Sequence, residues 1–413
     1  MTDKLRDKLS RVSALRPVSD WWPAGRALRS SVRQDGRLTE LLGAECRSNT
    51  LGRHLLLRRW FADPQPPEIS ARALGRILPN ASENALDPER WLFLDTETTG
   101  LAGGTGTYAF MVGLAWWENG GFTVEQYFMR DYNEEPSLLL GLTERLAEKP
   151  VLVTFNGKSF DWPLLQTRYR ITRVTHLEEP EAHLDLLHPA RQLWSLRLKS
   201  VALSVLEQYV LGQERAFDIP SATIPTRYFE FLRGGPPDPI VEVFHHNQMD
   251  LRGLASLAAH IAGIMHEPES AQCHAEDLFG MSRLLQRRGE GDLAGQIYQR
   301  ALEGGLPEIV ERKAQRELAL IAKRRHDFQR SNDLWEQLLG DSSEGLLAYE
   351  QLAIYYEHHA REPERAASLT REALVRLREA LHAGRLSVGQ YQQWHTSLQY
   401  RLNRLLSKAS VRS

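Results

Sequence analysis

The sequence predicts an α/β domain, a mixed sheet flanked by helices, followed by an all-α domain of helical repeats. Short apolar and β-branched runs alternate with helical spacings between residues 89 and 266. Strand signals vanish after residue 274, where long amphipathic patterns take over. The 413 residues also suffice for two or three domains at about 150 residues each. Apolar residues make up 42% and charged residues 25%, a balance that supports packed cores. With 29 glycines and 20 prolines the chain is neither collagen-like nor of low complexity. Cys46 and Cys273, the two cysteines, exclude a disulfide scaffold and a four-cysteine zinc site. No apolar run approaches the roughly 20 residues of a membrane span. The first residues carry no apolar signal core, so a cytoplasmic protein without membrane attachment is expected.

Residues 1–88 are expected to form a basic extension packing on the α/β domain. Its apolar run Leu55-Leu56-Leu57, with Trp60 and Phe61, is stopped by Asp63-Pro64-Gln65-Pro66-Pro67. Within 89–266, Trp91–Leu94 reads as a strand ending at Asp95. Thr107–Trp117 and Phe122–Met129 read as a hairpin around Asn119-Gly120-Gly121. Helical leucine spacing over Ser137–Ala147 precedes a buried strand at Val151–Phe155. Leu164–Tyr169, Leu198–Leu206 and Leu251–Ile264 read as helices. In residues 274–413, similar helix ends at Ala301-Leu302, Leu338-Leu339 and Ala373-Leu374 are spaced 37 and 35 residues apart. That is near the tetratricopeptide period of about 34. Such arrays present an extended surface, so a protein partner is expected there.

The net charge of −2 conceals two basic ends, each +7 over residues 1–62 and 365–413, around a middle of −16. This suits a polyanion held near a metal-binding, carboxylate-rich site, and equally suits solvated basic helices. In Phe93-Leu94-Asp95-Thr96-Glu97-Thr98-Thr99-Gly100-Leu101 the two acids are two apart, so on a strand both face one side. Their repulsion is relieved by a hard divalent cation, Mg²⁺ or Mn²⁺. Asp161 closes Asn156-Gly157-Lys158-Ser159-Phe160-Asp161, a turn that opens a helix. Asp250 closes His245-His246-Asn247-Gln248-Met249-Asp250, on the first part of the final helix. Four converging carboxylates form a ligand set for two metal ions on a phosphodiester.

These three segments, in this order and spacing, resemble the exonuclease motifs of the DEDD superfamily, within the ribonuclease-H-like fold. The likeness is to its bacterial YprB-type subgroup, which adds C-terminal helical repeats. The resemblance implies that Asp95, Glu97, Asp161 and Asp250 hold two divalent ions, with Asp95 bridging. It implies 3′→5′ hydrolysis of single-stranded nucleic acid, DNA favoured, in DNA repair beside a helicase. The superfamily places His five residues, or Tyr four, before the final Asp. His245 and His246 occupy these two registers. An i, i+4 spacing sets His246 over Asp250 and favours it as general base, with His245 kept as the alternative. Thr98, Leu101 and Gly104, in and beside a glycine-rich stretch, are candidate strand contacts, or simply the entry to a hairpin. Asn156 and Lys158 are candidate contacts from the second motif, Asn156 reading equally as a turn cap. Gly157-Lys158-Ser159 lacks the earlier glycine of a phosphate-binding loop, Leu152 standing there. Asp185 reads as an outer or structural carboxylate. Trp194, Arg197 and Lys199 fit strand binding or ordinary packing.

Overall fold

The computed structural model describes residues 36–100, 106–174, 177–340 and 342–410. They divide into two compact units. One holds the described residues up to His188 together with Ala202–His266. The other holds Pro189–Val201 and the described residues from Glu267 onward.

After a helix over residues 36–42, the first unit is built on seven strands. These are β1 Glu45–Asn49, β2 Gly52–Phe61, β3 Trp91–Thr98, β4 Ala109–Glu118, β5 Gly121–Phe128, β6 Val151–Thr154 and β7 Ala182–Asp185. Their spatial order is β1-β2-β5-β4-β3-β6-β7. β3, β6 and β7 run parallel, and every other pair is antiparallel. The β4–β5 turn has positive φ at Asn119 (50°) and Gly120 (71°), the pair of left-handed residues that matches hairpin twist. The helices are α1 Ala71–Ile77, α2 Glu135–Glu148, α3 Asp161–Thr172, α4 Leu187–Trp194, α5 Leu203–Tyr209, α6 Ile224–Leu232 and α7 Asp238–His266. Of these, α4 belongs to the second unit from Pro189 onward. α7 packs across β3, β4 and β5, and α2 across β1, β2 and β5. The core is rich in aromatic rings. Phe110 and Tyr228 stack with centroids 4.0 Å apart, and Phe128 meets both edge-on. Each such ring contributes about 1.5–3 kcal/mol by leaving water.

Strand direction sets where chemistry can gather. β3 and β6 are parallel neighbours, so Asp95 and Glu97 on β3 lie towards the same sheet edge as the turn after β6 that delivers Asp161. Ligand sites of α/β sheets form at such carboxyl ends.

The second unit continues as α8 Ala275–Arg287, α9 Gly291–Glu303, α10 Glu308–Arg324, α11 Phe328–Leu338, α12 Ser343–His358, α13 Pro363–His382 and α14 Val388–Ser410. Consecutive helices pair into hairpins that begin at residues 275, 308 and 343. No helix among the described residues is long and apolar enough to cross a membrane.

Several expectations change. Residues 45–61, read as part of an extension, are β1 and β2 of the sheet: Leu55 and Leu57 are buried while Arg53, Arg58 and Arg59 stay outside. Residues 198–202, read as the start of a helix, are not helical. Ala202 is extended (φ −61°, ψ 150°), so α5 begins only at Leu203. Ala373-Leu374 lies inside α13 and ends nothing, because the helix carries no breaker before its close at His382. Asp250 sits mid-helix, since α7 starts directly after Pro237, well upstream.

Candidate active site

Strand alternation puts Asp95 and Glu97 on one face of β3, and the ladder to β4 shifts register after Glu97. Such bulges re-aim side chains. Asp161 is the first residue of α3, and its Oδ1 accepts from Thr96 Oγ1 at 2.5 Å. α7 brings His246 and Asp250 onto one face, with His246 Nε2 3.2 Å from Asp250 Oδ2 and 4.0 Å from Glu97 Oε1. Donor atoms of Glu97, His246 and Asp250 all lie within 4.8 Å of one another.

Electrostatics tie the remaining carboxylates to this cluster. Burial, then the charges of Asp250 and Asp161, push the Asp95 carboxyl well above the usual range, against a bond from Asn247. Burial, then Asp95 and Asp250, do the same to Glu97. Burial raises Asp161 to about 6, with Asp185 adding to it and the bond from Thr96 opposing. Carboxyls raised by burial and by one another's charge mark a candidate cation site.

Residues that the sequence reading did not single out build the frame. The Asp218 carboxylate accepts from His246 Nδ1 at 2.5 Å, which fixes the proton on Nδ1 and leaves Nε2 facing Glu97 and Asp250. Bonds from His246 and Arg215 outweigh burial and hold the Asp218 carboxyl low. Arg215 Nη2 donates to Asp250 Oδ1 at 2.5 Å, its Nη1 to Asp218 at 2.9 Å, and its Nε and Nη2 to Glu207. Burial works against this guanidinium, but Glu207 and Asp250 keep it charged. Asn247, fully buried, accepts from Gln126 Nε2 at 2.9 Å and donates to Asp95 Oδ2 at 2.7 Å. Gly113 lies between them: a Cβ there would meet Asn247 Oδ1 at 2.3 Å. A signal existed for Asn247, next to His246 in the third motif. None existed for Glu207, Arg215 and Asp218, which stand in no motif and meet only in the fold.

A model of the RNase_H superfamily matches residues 92–262. Over 286 residues the chain is 33% identical to the uncharacterized protein YprB of Bacillus subtilis (strain 168), a match spanning 68% of each chain. This chain belongs to the RNase_H superfamily. The matched span contains every residue of the cluster just described, so the first unit is a nuclease-type domain of that superfamily with its acidic pocket at the carboxyl edge of β3. An all-α region follows it.

The other candidates sort by position. His245 is exposed while its neighbour His246 is buried. Thr98 is buried and spends its hydroxyl on the Gly100 carbonyl. Leu101 and Gly104 lie outside the described residues. Asn156 (φ 67°) and Lys158 are exposed on the turn before α3. Asp185 holds that turn, accepting from the backbone N–H of Asn156 at 2.8 Å and of Lys158 at 3.1 Å. Gly157 packs on Thr154, where a Cβ would clash at 2.4 Å, so backbone packing accounts for this glycine. Trp194 is buried, and Arg197 is bound to Asp277 at 2.8 Å; Lys199 is exposed.

Superfamilies of this fold typically use divalent metal ions, and the donor set here fits them. The carboxylates that could hold an ion offer hard oxygens from separate elements. Arg215, the guanidinium in contact, is already shared among Glu207, Asp218 and Asp250, which leaves Asp95, Glu97 and Asp161 mutually repelling.

Proposed function

We propose that this protein is a divalent-metal-dependent 3′→5′ exonuclease that hydrolyses single-stranded nucleic acid, DNA in preference to RNA. The observation that carries this reading is the meeting of acids from β3, α3 and α7 beside a histidine whose tautomer is set by a second carboxylate. Bound by Asp95, Glu97, Asp161 and Asp250, two Mg²⁺ or Mn²⁺ ions would activate water and offset charge on the scissile phosphate. The protein's own groups do the rest. Asp218 holds the proton on His246 Nδ1, so Nε2 accepts a proton from the attacking water. Arg215 holds Asp250 in place from its other oxygen, and Asn247 holds Asp95. Polarity, strand preference and a setting in DNA repair are supported by the likeness of the three motifs to DEDD exonucleases. A partner-binding role for the helical unit, with a repair helicase as the partner, is supported by its stacked hairpins and that same likeness.

Digestion of 5′- and 3′-labelled single-stranded DNA and RNA with Mn²⁺ or Mg²⁺ tests the activity. A 5′-labelled ladder shortening from the 3′ end is expected, abolished by EDTA and by Asp250→Ala, with closed circular strands untouched. Cleavage of circles would make the protein an endonuclease, and an undiminished Asp250→Ala variant would refute the site. For the partner, addition of a purified repair helicase should accelerate digestion of blunt duplex by the full chain; no acceleration counts against it.

A further inference from the structure

One large apolar side chain is almost wholly outside the protein. Phe217 is 97% exposed, the highest among the large hydrophobic residues described. Its backbone is left-handed, φ 61°, a conformation that bulky side chains rarely adopt. Ordinary mobility of a loop tip does not explain it, because the chain on both sides is pinned. Two residues earlier, Arg215 is tied to Glu207, Asp218 and Asp250. Immediately afterwards, Asp218 binds His246 and also accepts from the Ile219 N–H at 2.8 Å. Phe217 is thus carried on a braced segment whose Cα lies about 3.8 Å along the chain from a residue touching the catalytic histidine.

The same segment borders a groove of about 370 Å³. Ser204, Gln208, Gln213 and Glu214 line it together with Arg215 and Asp218. The lining is chemically selective. Arg215 is spent on three carboxylates, and Glu214 and Asp218 repel phosphate. Amides and carboxylates are instead the groups that pair with the edges of bases. Phe217 stands in the chain between the lining residues Arg215 and Asp218, and its exposed ring supplies a face on which a base of any sequence can stack.

We infer that Phe217 is a base-stacking platform for single-stranded nucleic acid, seating a nucleobase against the Ser204–Gln208–Gln213 groove next to the acidic cluster. The inference rests on the proposed nuclease function, and it deepens that reading by assigning the strand contact to the 215–218 segment.

The test compares the full-length protein with Phe217→Ala and Phe217→Tyr on a labelled single-stranded oligonucleotide and on a fully abasic strand of equal length. Loss of the ring should raise KM about tenfold on the intact strand, the abasic strand should show no difference, and Phe217→Tyr should restore the wild-type value. The same KM for Phe217→Ala, or an equal loss on the abasic strand, overturns the inference while leaving the nuclease assignment standing. If the wild-type protein digests nothing, the exonuclease reading fails by itself. Fluorescence anisotropy of the same strands then decides the platform: a loss of affinity that needs both Phe217 and the bases sustains it, and no such loss ends it. Because the ring is outside the core, the thermal midpoint of Phe217→Ala should match wild type.

Discussion

At the scale of single residues, His246 and Asp218 act as one unit, since the carboxylate decides which imidazole nitrogen carries the proton. Asp218→Asn is expected to lower kcat about 100-fold or more, and His246→Ala similarly. The double variant should be little worse than either single one, as measured by kcat on one oligonucleotide; additive losses would separate the two residues. Asp161 gives a pH-dependent signature. Its folded-state value of about 6 lies above the ordinary 3.8. Its share of stability is therefore full below about pH 4 and is lost as pH rises through 6. Asp161→Asn should then stabilise the metal-free protein at pH 8 by roughly 3 kcal/mol and by little at pH 4, read from denaturant unfolding. An equal difference at both pH values would contradict the raised carboxyl.

At the scale of elements, Asp95, Gly113 and Gln126 stand in register across β3, β4 and β5, and Asn247 of α7 spans the row. The glycine makes room for that bridge. Gly113→Ala places a methyl 2.3 Å from Asn247 Oδ1 and 2.7 Å from Leu251 Cδ1. The Asn247 and Leu251 side chains must give way, at a cost of about 1–3 kcal/mol. Urea denaturation and digestion rate should fall together, and an unchanged rate would show that Asn247 does not position Asp95. The motif spacing announced Asp95 and Glu97 because a strand's period of two is a local property. It could not announce Gly113 or Gln126, whose part depends on strand order.

At the scale of the whole molecule, the proposed metal pocket predicts a stability that depends on divalent ions. Mn²⁺ should raise the thermal midpoint at pH 8, above the Asp161 value of about 6, and less at pH 5, where Asp161 holds its proton; EDTA should reverse it. No shift at pH 8 would argue against a metal pocket. The basic residues of 365–413 predict affinity for single strands that weakens about tenfold or more from 50 to 200 mM salt, measured by anisotropy. A flat response would mean that those charges merely solvate their helices.

Alternation of two and helical spacing of four are covalent regularities. They made the sheet-then-helices architecture readable, along with the DTETTGL acids, Asp161 opening its helix and the paired histidines. Which histidine enters the pocket was decided by the rotation of α7, which buries His246 and leaves His245 in solvent. The boundary at β1 and β2 was decided by pairing with β5. Glu207, Arg215 and Asp218 became a scaffold only when α5, the loop after it and α7 met, because a charge network is a property of distances in space that spacing along the chain does not record.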